Sequence, residues 1–345
     1  MELWGWHASR RPVASGSVAA VPASPPADVP VSWLVAGWNV APDLAPFVAA
    51  YRTLSATAHE LVLAVGGEDG SLERARALQA AHPDLAIAIV EQKAGMGKQG
   101  ALRAAWPLVT GEIVYLTDMD CRPSREVASP LLALLADVAD AATGSVRPLP
   151  EQVAIPMVRV RWAVLRAGDR EGARPAVGLH GANTAIRRTM LERVGGFDWD
   201  APTGTDYTLA KRVLAAGGRL WREPMSEMPT RFPERGVYVR KQARWLGTVL
   251  RYGFRYRALS DLQAVSRTLV WPWVMAALVA GGWWWSDMWA LAALLLADAV
   301  RRRAQYVDAM EARVGMETLV GSVLADWAAG LAAIRHVVRR RAQWS

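Results

Sequence analysis

At 345 residues the chain is longer than one average domain of roughly 100 to 200 residues, so one sizeable domain plus an appendage is expected. The single Cys121 excludes an internal disulfide framework and fits a reducing compartment, its plain role being a small core filler. Lys and Arg outnumber Asp and Glu by 40 to 32, a net charge of +8, but the surplus is clustered around the uncharged stretch at residues 268–286, which speaks for a membrane and against a nucleic-acid partner.

Residues 1–28 have Pro, Ala and Ser in loop proportions and no compact apolar run behind a basic start, so they read as a disordered lead-in and not as a signal peptide. From residue 31 a regular alternation begins. "VSWLVAGW" reads as a buried strand, "DLAPFVAAYRTL" as a helix, "ELVLAVGG" as a strand, and "SLERARALQAAH" as a helix that Ser71 can cap. "LAIAIVEQ", "KQGALRAAWPLV" and "EIVYLTD" continue as strand, helix and strand. Strands that are apolar on both faces and alternate with helices predict an α/β fold, a mainly parallel sheet with ligands at the carboxyl ends of its strands.

Two features of this region suggest chemistry. "GMGKQG", residues 95–100, fits the G-x-G-x-x-G dinucleotide pattern, with Asp118 about 20 residues downstream as a ribose-binding acid, so an NAD-dependent oxidoreductase is one reading. Against it, the loop follows the third strand and not the first, and Lys98 adds a charge the pattern does not require. Asp118 and Asp120 close the fourth strand as "DMD". In extended backbone, residues i and i+2 point the same way, so both carboxylates could face one hard cation such as Mg or Mn, whose shell substrate phosphates complete. A solvated turn is the plain alternative.

Further on, Arg159, Arg161, Arg166, Arg170 and Arg174 lie in a stretch with few strand signals. Six basic residues and no acid occupy residues 239–260, a basic amphipathic segment suited to a membrane surface. Residues 268–286 almost reach the roughly 20 apolar residues of a membrane span, interrupted by Pro272 and the Gly281-Gly282 pair. Basic clusters at 251–267 and 301–303 flank the whole region. Keeping both on the cytosolic side predicts a hairpin of two tilted segments, or a re-entrant one, with Trp283 to Trp285 near an interface. Leu319, Val323, Trp327, Leu331 and Ile334 form a helical stripe expected to lie along the surface. A soluble helical subdomain is the alternative.

The ordered series "VSWLVAGWN", "VGGEDGS", "GMGKQGALRAAW", "YLTDMD", "GANTAIRRTMLERVGGFD", "TGTDYTLAKRVLAAGG" and "KQARW" resembles the family 2 glycosyltransferases of GT-A fold, in particular the membrane-attached group with cellulose and hyaluronan synthases and ceramide glucosyltransferases. The resemblance covers about residues 31–245. It implies a metal-dependent inverting enzyme, using Mn or Mg, that moves a hexose from a nucleotide sugar, a UDP-sugar first among the donors, to a membrane lipid or lipid-linked glycan. It implies that Ala36, Trp38 and Asn39 lie beside the base, that Glu68 or Asp69 binds the nucleoside, and that Lys98 and Asp118 contact the nucleotide while Asp120, with Asp118, holds the metal. His180, Gly181 and Thr205 would border the sugar or acceptor. Asp206 would be the catalytic base, its plain alternative being a helix N-cap.

"KQARW" departs from the family's Q-x-x-R-W by Lys241 at its first position. Arg244 would still contact the diphosphate and Trp245 the acceptor. The expected organisation is a lead-in at 1–28, a GT-A domain at 29–235, a basic interface segment at 236–266, a membrane hairpin at 267–300 and basic amphipathic helices at 301–345. So little membrane leaves no polymer channel. The expected place is the cell membrane with the catalytic domain facing the cytoplasm. A polysaccharide synthase subunit with a separate export partner, and a non-catalytic membrane-associated module, are the alternatives.

Overall fold

The computed structural model describes residues 29–54, 60–169, 172–197 and 203–338, without the side chains of residues 267 and 334–338. The expected lead-in at 1–28 and the basic triplet at 339–341 lie outside the described residues. Along the chain run β1 (Val31–Trp38), α1 (Ala41–Arg52), β2 (Glu60–Gly66), α2 (Ser71–Ala81), β3 (Ile87–Glu91), α3 (Gly97–Ala105), β4 (Ile113–Asp118), α4 (Arg125–Asp137) and β5 (Ala141–Pro148). Then follow α5 (Pro156–Ala167), β6 (Arg174–Pro175), β7 (Thr184–Arg187), α6 (Arg188–Arg193), α7 (Thr205–Ala215) and β8 (Leu220–Thr230). Four helices close the chain: α8 (Arg235–Arg255), α9 (Leu259–Gly281), α10 (Asp287–Asp308) and α11 (Met316–Val338).

The eight strands form one sheet in the order β3-β2-β1-β4-β7-β5-β8-β6. β3, β2, β1 and β4 pair in parallel. β7 pairs antiparallel with both β4 and β5, and β6 pairs antiparallel with β8. The expected parallel sheet is therefore present as one half, and the mixed half follows it. β1 and β2 are buried along nearly their whole length, as their unbroken apolar sequences require. Trp33 and Tyr115 stack at 4.0 Å across β1 and β4, and Leu34, Val62, Val114, Ile186, Leu209 and Val213 share one core.

At the amino end of the strands, buried Glu60 accepts hydrogen bonds from the Ser32 hydroxyl at 2.5 Å and the Thr110 amide at 2.6 Å.

One expectation at the start of α2 needs correction. Gly70, at φ 81°, is the N-cap, and Ser71 is the first helical residue. Glycine takes this left-handed conformation at little cost. Ser71 instead accepts the Val40 amide at 2.8 Å and donates to Asp69 at 2.5 Å, so it joins two loops and does not cap its own helix.

By compactness the chain divides into two units. One holds Arg11–Arg147 and Glu171–Arg231, and the other holds Pro148–Arg170 and Phe232–Gln343. The single 29–235 domain expected from sequence thus has a segment that groups elsewhere. The reason is packing, because Val160, Ala163 and Val164 of α5 bury against Val300, Val307, Leu319 and Val323. Leu319 and Val323, expected along an outer surface, therefore face a protein core.

The basic triplet at 301–303 also differs from expectation. Arg301 and Arg302 pair with Asp298 on their own helix, whereas Arg303 is buried in an ion pair with Asp326. The Tyr238 hydroxyl donates to the same carboxylate at 2.5 Å, and the Arg161 guanidinium stands 3.9 Å over the Tyr238 ring. A buried charge needs such partners. Among the described residues, α9 is the one helix long and apolar enough to cross a membrane by length and composition. α10 follows it after a turn carrying Trp283, Trp284 and Trp285, which are 78%, 75% and 64% exposed.

Candidate functional site

Most of the residues singled out in the sequence gather at the carboxyl ends of β1, β2 and β4 and in the loops facing them. Ala36 is buried near the end of β1, opposite Asp118 of β4 in register. Trp38 ends β1, and Asn39 follows at φ 56°. The Asn39 amide donates to the Gly66 carbonyl at 3.0 Å, and its side-chain oxygen accepts the Glu68 amide at 2.8 Å. Asn39 thus brackets the ends of β1 and β2. A Cβ at Gly67 would stand 2.1 Å from that oxygen, so the loop must have glycine there.

Asp69 and Glu68 are separated by their surroundings. One Asp69 oxygen accepts the Ala41 amide at 2.9 Å, at the start of α1, and the other accepts the Ser71 amide and hydroxyl. Desolvation alone would raise the Asp69 carboxyl, but the bonds from Ser71 and Ala41 hold it below its usual value. Glu68, beside it, has an exposed side chain.

The acids of "DMD" do not sit in continuous extended backbone. β4 stops at Asp118, Met119 is buried, and the Cys121 amide donates back to the Asp118 carbonyl at 3.1 Å, so Asp120 lies in a turn. The strand-alternation argument for their shared direction therefore does not apply. What fixes them is the end of β8: the Arg122 amide donates to the Pro229 carbonyl at 2.8 Å and the Arg231 amide to the Asp120 carbonyl at 3.1 Å. The Thr230 hydroxyl approaches Asp120 Oδ1 at 3.3 Å. Cys121 between them is buried, and burial pushes its thiol up to about 12, so it is an inert filler.

Lys98, in the first turn of α3, forms an ion pair with Asp118. Burial alone would lower its ammonium pKa, but Asp118, and beyond it Asp206, hold it above the ordinary value. Gly181 completes the cluster. A Cβ there would stand 3.4 Å from both Asp206 Oδ2 and Lys98 Nζ, so backbone fills the space where a side chain would crowd both groups.

Asp206 is the second residue of α7, whose N-cap is Gly204 at φ 69°, so the acid is not the helix cap. Thr205 before it is buried. His180 is anchored by its amide to Thr143 Oγ1 at 2.8 Å, and its carbonyl accepts the Thr184 hydroxyl at 2.8 Å. Burial, and then Arg222, push its imidazole down to about 4, against the pull of Asp206 and Asp118, so the ring is neutral at pH 7.

Arg244 and Trp245 stand apart from this account. They lie on α8 in the helical unit, Arg244 exposed and Trp245 partly buried. Sequence reading missed Thr143, Arg222 and Thr230. None sits in a recognisable pattern, and each takes its place only through sheet pairing.

A fit to a divalent cation follows from the donor set. Asp118 and Asp120 offer carboxylate oxygens, which hard cations prefer, and among the described residues no third His, Cys, Asp or Glu joins them in a cluster. Mg or Mn held by one or two carboxylates, with phosphate and water completing the shell, suits such a pair.

The profile of the family described as glycosyl transferase family group 2 matches residues 113–301, more than half of the chain. Curated protein sequences return no match. Among solved structures, a mannosyltransferase from Pyrobaculum calidifontis, in complex with GDP-Man and Mn2+, superposes with a TM-score of 0.64 at 23% identity, over 90% of this chain and 88% of that one. The likeness shows a shared GT-A fold. A glucosyl-3-phosphoglycerate synthase from Mycobacterium tuberculosis, with Mn2+, UDP and phosphoglyceric acid, matches at 17% identity over 65% of this chain and 78% of its own, with a TM-score of 0.44, too low to carry weight.

Proposed function

This chain belongs to the glycosyl transferase family group 2 and is a glycosyltransferase, and from that premise we propose a metal-dependent, inverting hexosyl transfer from a nucleotide sugar to an acceptor at a membrane. The observation that carries the reading is the cluster of Lys98, Asp118 and Asp206 around the Gly181 backbone. It brings an ammonium fit for a diphosphate and a carboxylate fit for a base to one place. The NAD reading of "GMGKQG" gives way to the family, since the chain is a glycosyltransferase and the loop follows β3 and not β1.

In this reading the ends of β1 and β2 hold the nucleoside. Trp38 offers its ring and Glu68 its carboxylate, since Asp69 is committed to the loop backbone. Asp118 and Asp120 would hold Mn or Mg, which supplies charge neutralisation at the departing diphosphate. Lys98 adds a positive charge on the same group. Asp206 takes the proton from the acceptor hydroxyl as that oxygen attacks the anomeric carbon. Neutral His180 and the Gly181 backbone line the sugar's side. The mannosyltransferase solved with GDP-Man supports testing GDP-sugars beside UDP-sugars.

The membrane part of the proposal rests on α9 and the three exposed tryptophans after it. Such a hairpin suits an acceptor that is a membrane lipid or lipid-linked glycan, with the catalytic unit on the cytosolic side.

The test is nucleotide release by the purified full chain in detergent with added lipids, over UDP-, GDP- and dTDP-sugars, with Mn, Mg or chelator. One donor should react, only with metal, and Asp206→Asn should lower kcat by at least about 100-fold while nucleotide affinity stays unchanged. Release that persists in the variant would sink the base assignment.

A further inference from the structure

Asp43, in the first turn of α1, is singled out by no motif, yet it is tied to the turn that carries Asp120. One of its carboxylate oxygens meets two guanidiniums, that of Arg231 at 2.5 Å and that of Arg122 at 3.7 Å. The Asp43 side chain is sheltered, at 15% exposure, so these pairs are screened less than ion pairs in open solvent.

The two arginines stand on either side of a weak join. Arg122 lies two residues beyond Asp120, and Arg231 comes directly after β8 ends at Thr230. Cys121 and Thr230 form an isolated antiparallel bridge, flanked by the Arg122 amide bond to Pro229 and the Arg231 amide bond to Asp120. In the sheet, β7 and β5 stand between β4 and β8, so this short pairing, and not a ladder of the sheet, joins the Asp120 turn to the end of β8. Asp43 fastens a charged group on each side of it. The Arg122 guanidinium also donates to the Cys121 carbonyl at 2.8 Å, so the grip on Arg122 reaches the backbone next to Asp120. α1 is itself fixed at its start, where the Ala41 amide donates to Asp69 at 2.9 Å and the Val40 amide to Ser71 Oγ at 2.8 Å.

We infer that Asp43 is a positioning residue for the metal, which braces Arg122 and Arg231 so that the Asp120 carboxylate is held where it shares a cation with Asp118. Partners that orient ligating groups typically change metal affinity by about 10- to 100-fold, and an ion pair that is partly exposed falls below that range. The inference rests on the metal reading proposed above.

Titration of the full chain in detergent with Mn2+, following the electron paramagnetic resonance signal of the free ion, tests it, with nucleotide release as a second readout. Asp120→Asn should abolish binding. Asp43→Asn should weaken it about fivefold and raise the Mn2+ concentration for half-maximal release by the same factor, with the rate at saturating Mn2+ within about twofold of the parent. A general loss of fold would instead lower the rate at every Mn2+ concentration. Asp43→Glu, which keeps the charge, should recover most of the affinity. Arg231→Gln should reproduce part of the loss and add nothing to Asp43→Asn in the double variant, because both remove the same contact. Asp43→Asn binding within about twofold of the parent, while Asp120→Asn has lost the ion, overturns the brace alone. Mn2+ binding that persists in Asp120→Asn removes the metal assignment and the brace with it.

Discussion

His180 shows how a single residue ties stability to the site. Its imidazole lies at about 4 in the folded chain against an ordinary 6.5, held down by burial and by Arg222 despite Asp206 and Asp118. The unfolded chain therefore takes up the proton first as pH falls, so the stabilisation is complete above about 6.5 and drains away toward 4. Between pH 7 and pH 5 this one group should cost about 2 kcal/mol of stability. Denaturant midpoints of the parent and His180→Asn at both pH values check this, because carboxylate titration is common to the two. An equal loss in both proteins would remove His180 as the cause.

What was legible at this scale was residue type at a strand end. Asp118, Lys98 and Gly181 could be picked out because their neighbours in sequence form an ordered series. The partners that position His180 and Asp120, Thr143 and Thr230, are long-range contacts with no periodicity, so no window of sequence contains them. Asp206 was readable as an acid near a helix start, but whether it capped the helix depended on Gly204 taking a left-handed φ.

At the scale of the element, β7 and α6 separate two neighbouring arginines. Arg187 donates to the Leu135 and Ala136 carbonyls and, at 3.4 Å, to that of Ala139, closing the carboxyl end of α4. Arg188 makes an exposed bond to Glu192 one turn along its own helix. Charged donors on helix-end carbonyls are worth roughly 1.5 to 3 kcal/mol, and exposed pairs at this spacing about 0.3 to 0.5. Arg187→Leu should thus lower the unfolding free energy by about 2 kcal/mol and Arg188→Ala by under about 0.5, measured by urea denaturation. The reverse order would show that α4 is not held by this cap.

The first four strands and three helices were legible because one rule, apolar strand then amphipathic helix, repeats without interruption. The last strands were not. β6 is two residues long, and β8 carries Pro224 and Pro229 inside a strand of 11 residues, a composition that argues against strand when read alone. α5 falls in the arginine-bearing stretch with few strand signals, and its apolar face packs against α10 and α11, far away in sequence.

The sheet unit buries most of its large apolar residues, whereas the helical unit exposes many of its own. Besides the three tryptophans of the α9–α10 turn, Trp273, Val279, Trp289 and Leu294 are all about half exposed or more. A water-facing patch of this kind marks an interaction surface, and aromatic residues beside basic clusters suit a lipid boundary. The full chain should float with vesicles containing anionic lipid. Replacing Trp283, Trp284 and Trp285 together by Ser should weaken that partition by roughly tenfold or more, with the melting temperature unchanged. Unaltered flotation would move the anchor elsewhere. Sequence could not distinguish lipid from protein as the neighbour of an apolar helix face, which is why the Leu319 and Val323 stripe was read outward and the tryptophan turn needed the fold to show its exposure.

β4 is parallel to β1 on one side and antiparallel to β7 on the other. Asp118 ends that strand, so under the proposed reading the groups that hold the nucleoside precede residue 118, while those that line the sugar and meet the acceptor follow it. The two choices are then separately inheritable. Exchange of the leading half by recombination at one crossover would bring a new nucleoside preference while keeping the old sugar and acceptor, and the surviving requirement would be a strand that pairs with β7 in the same register.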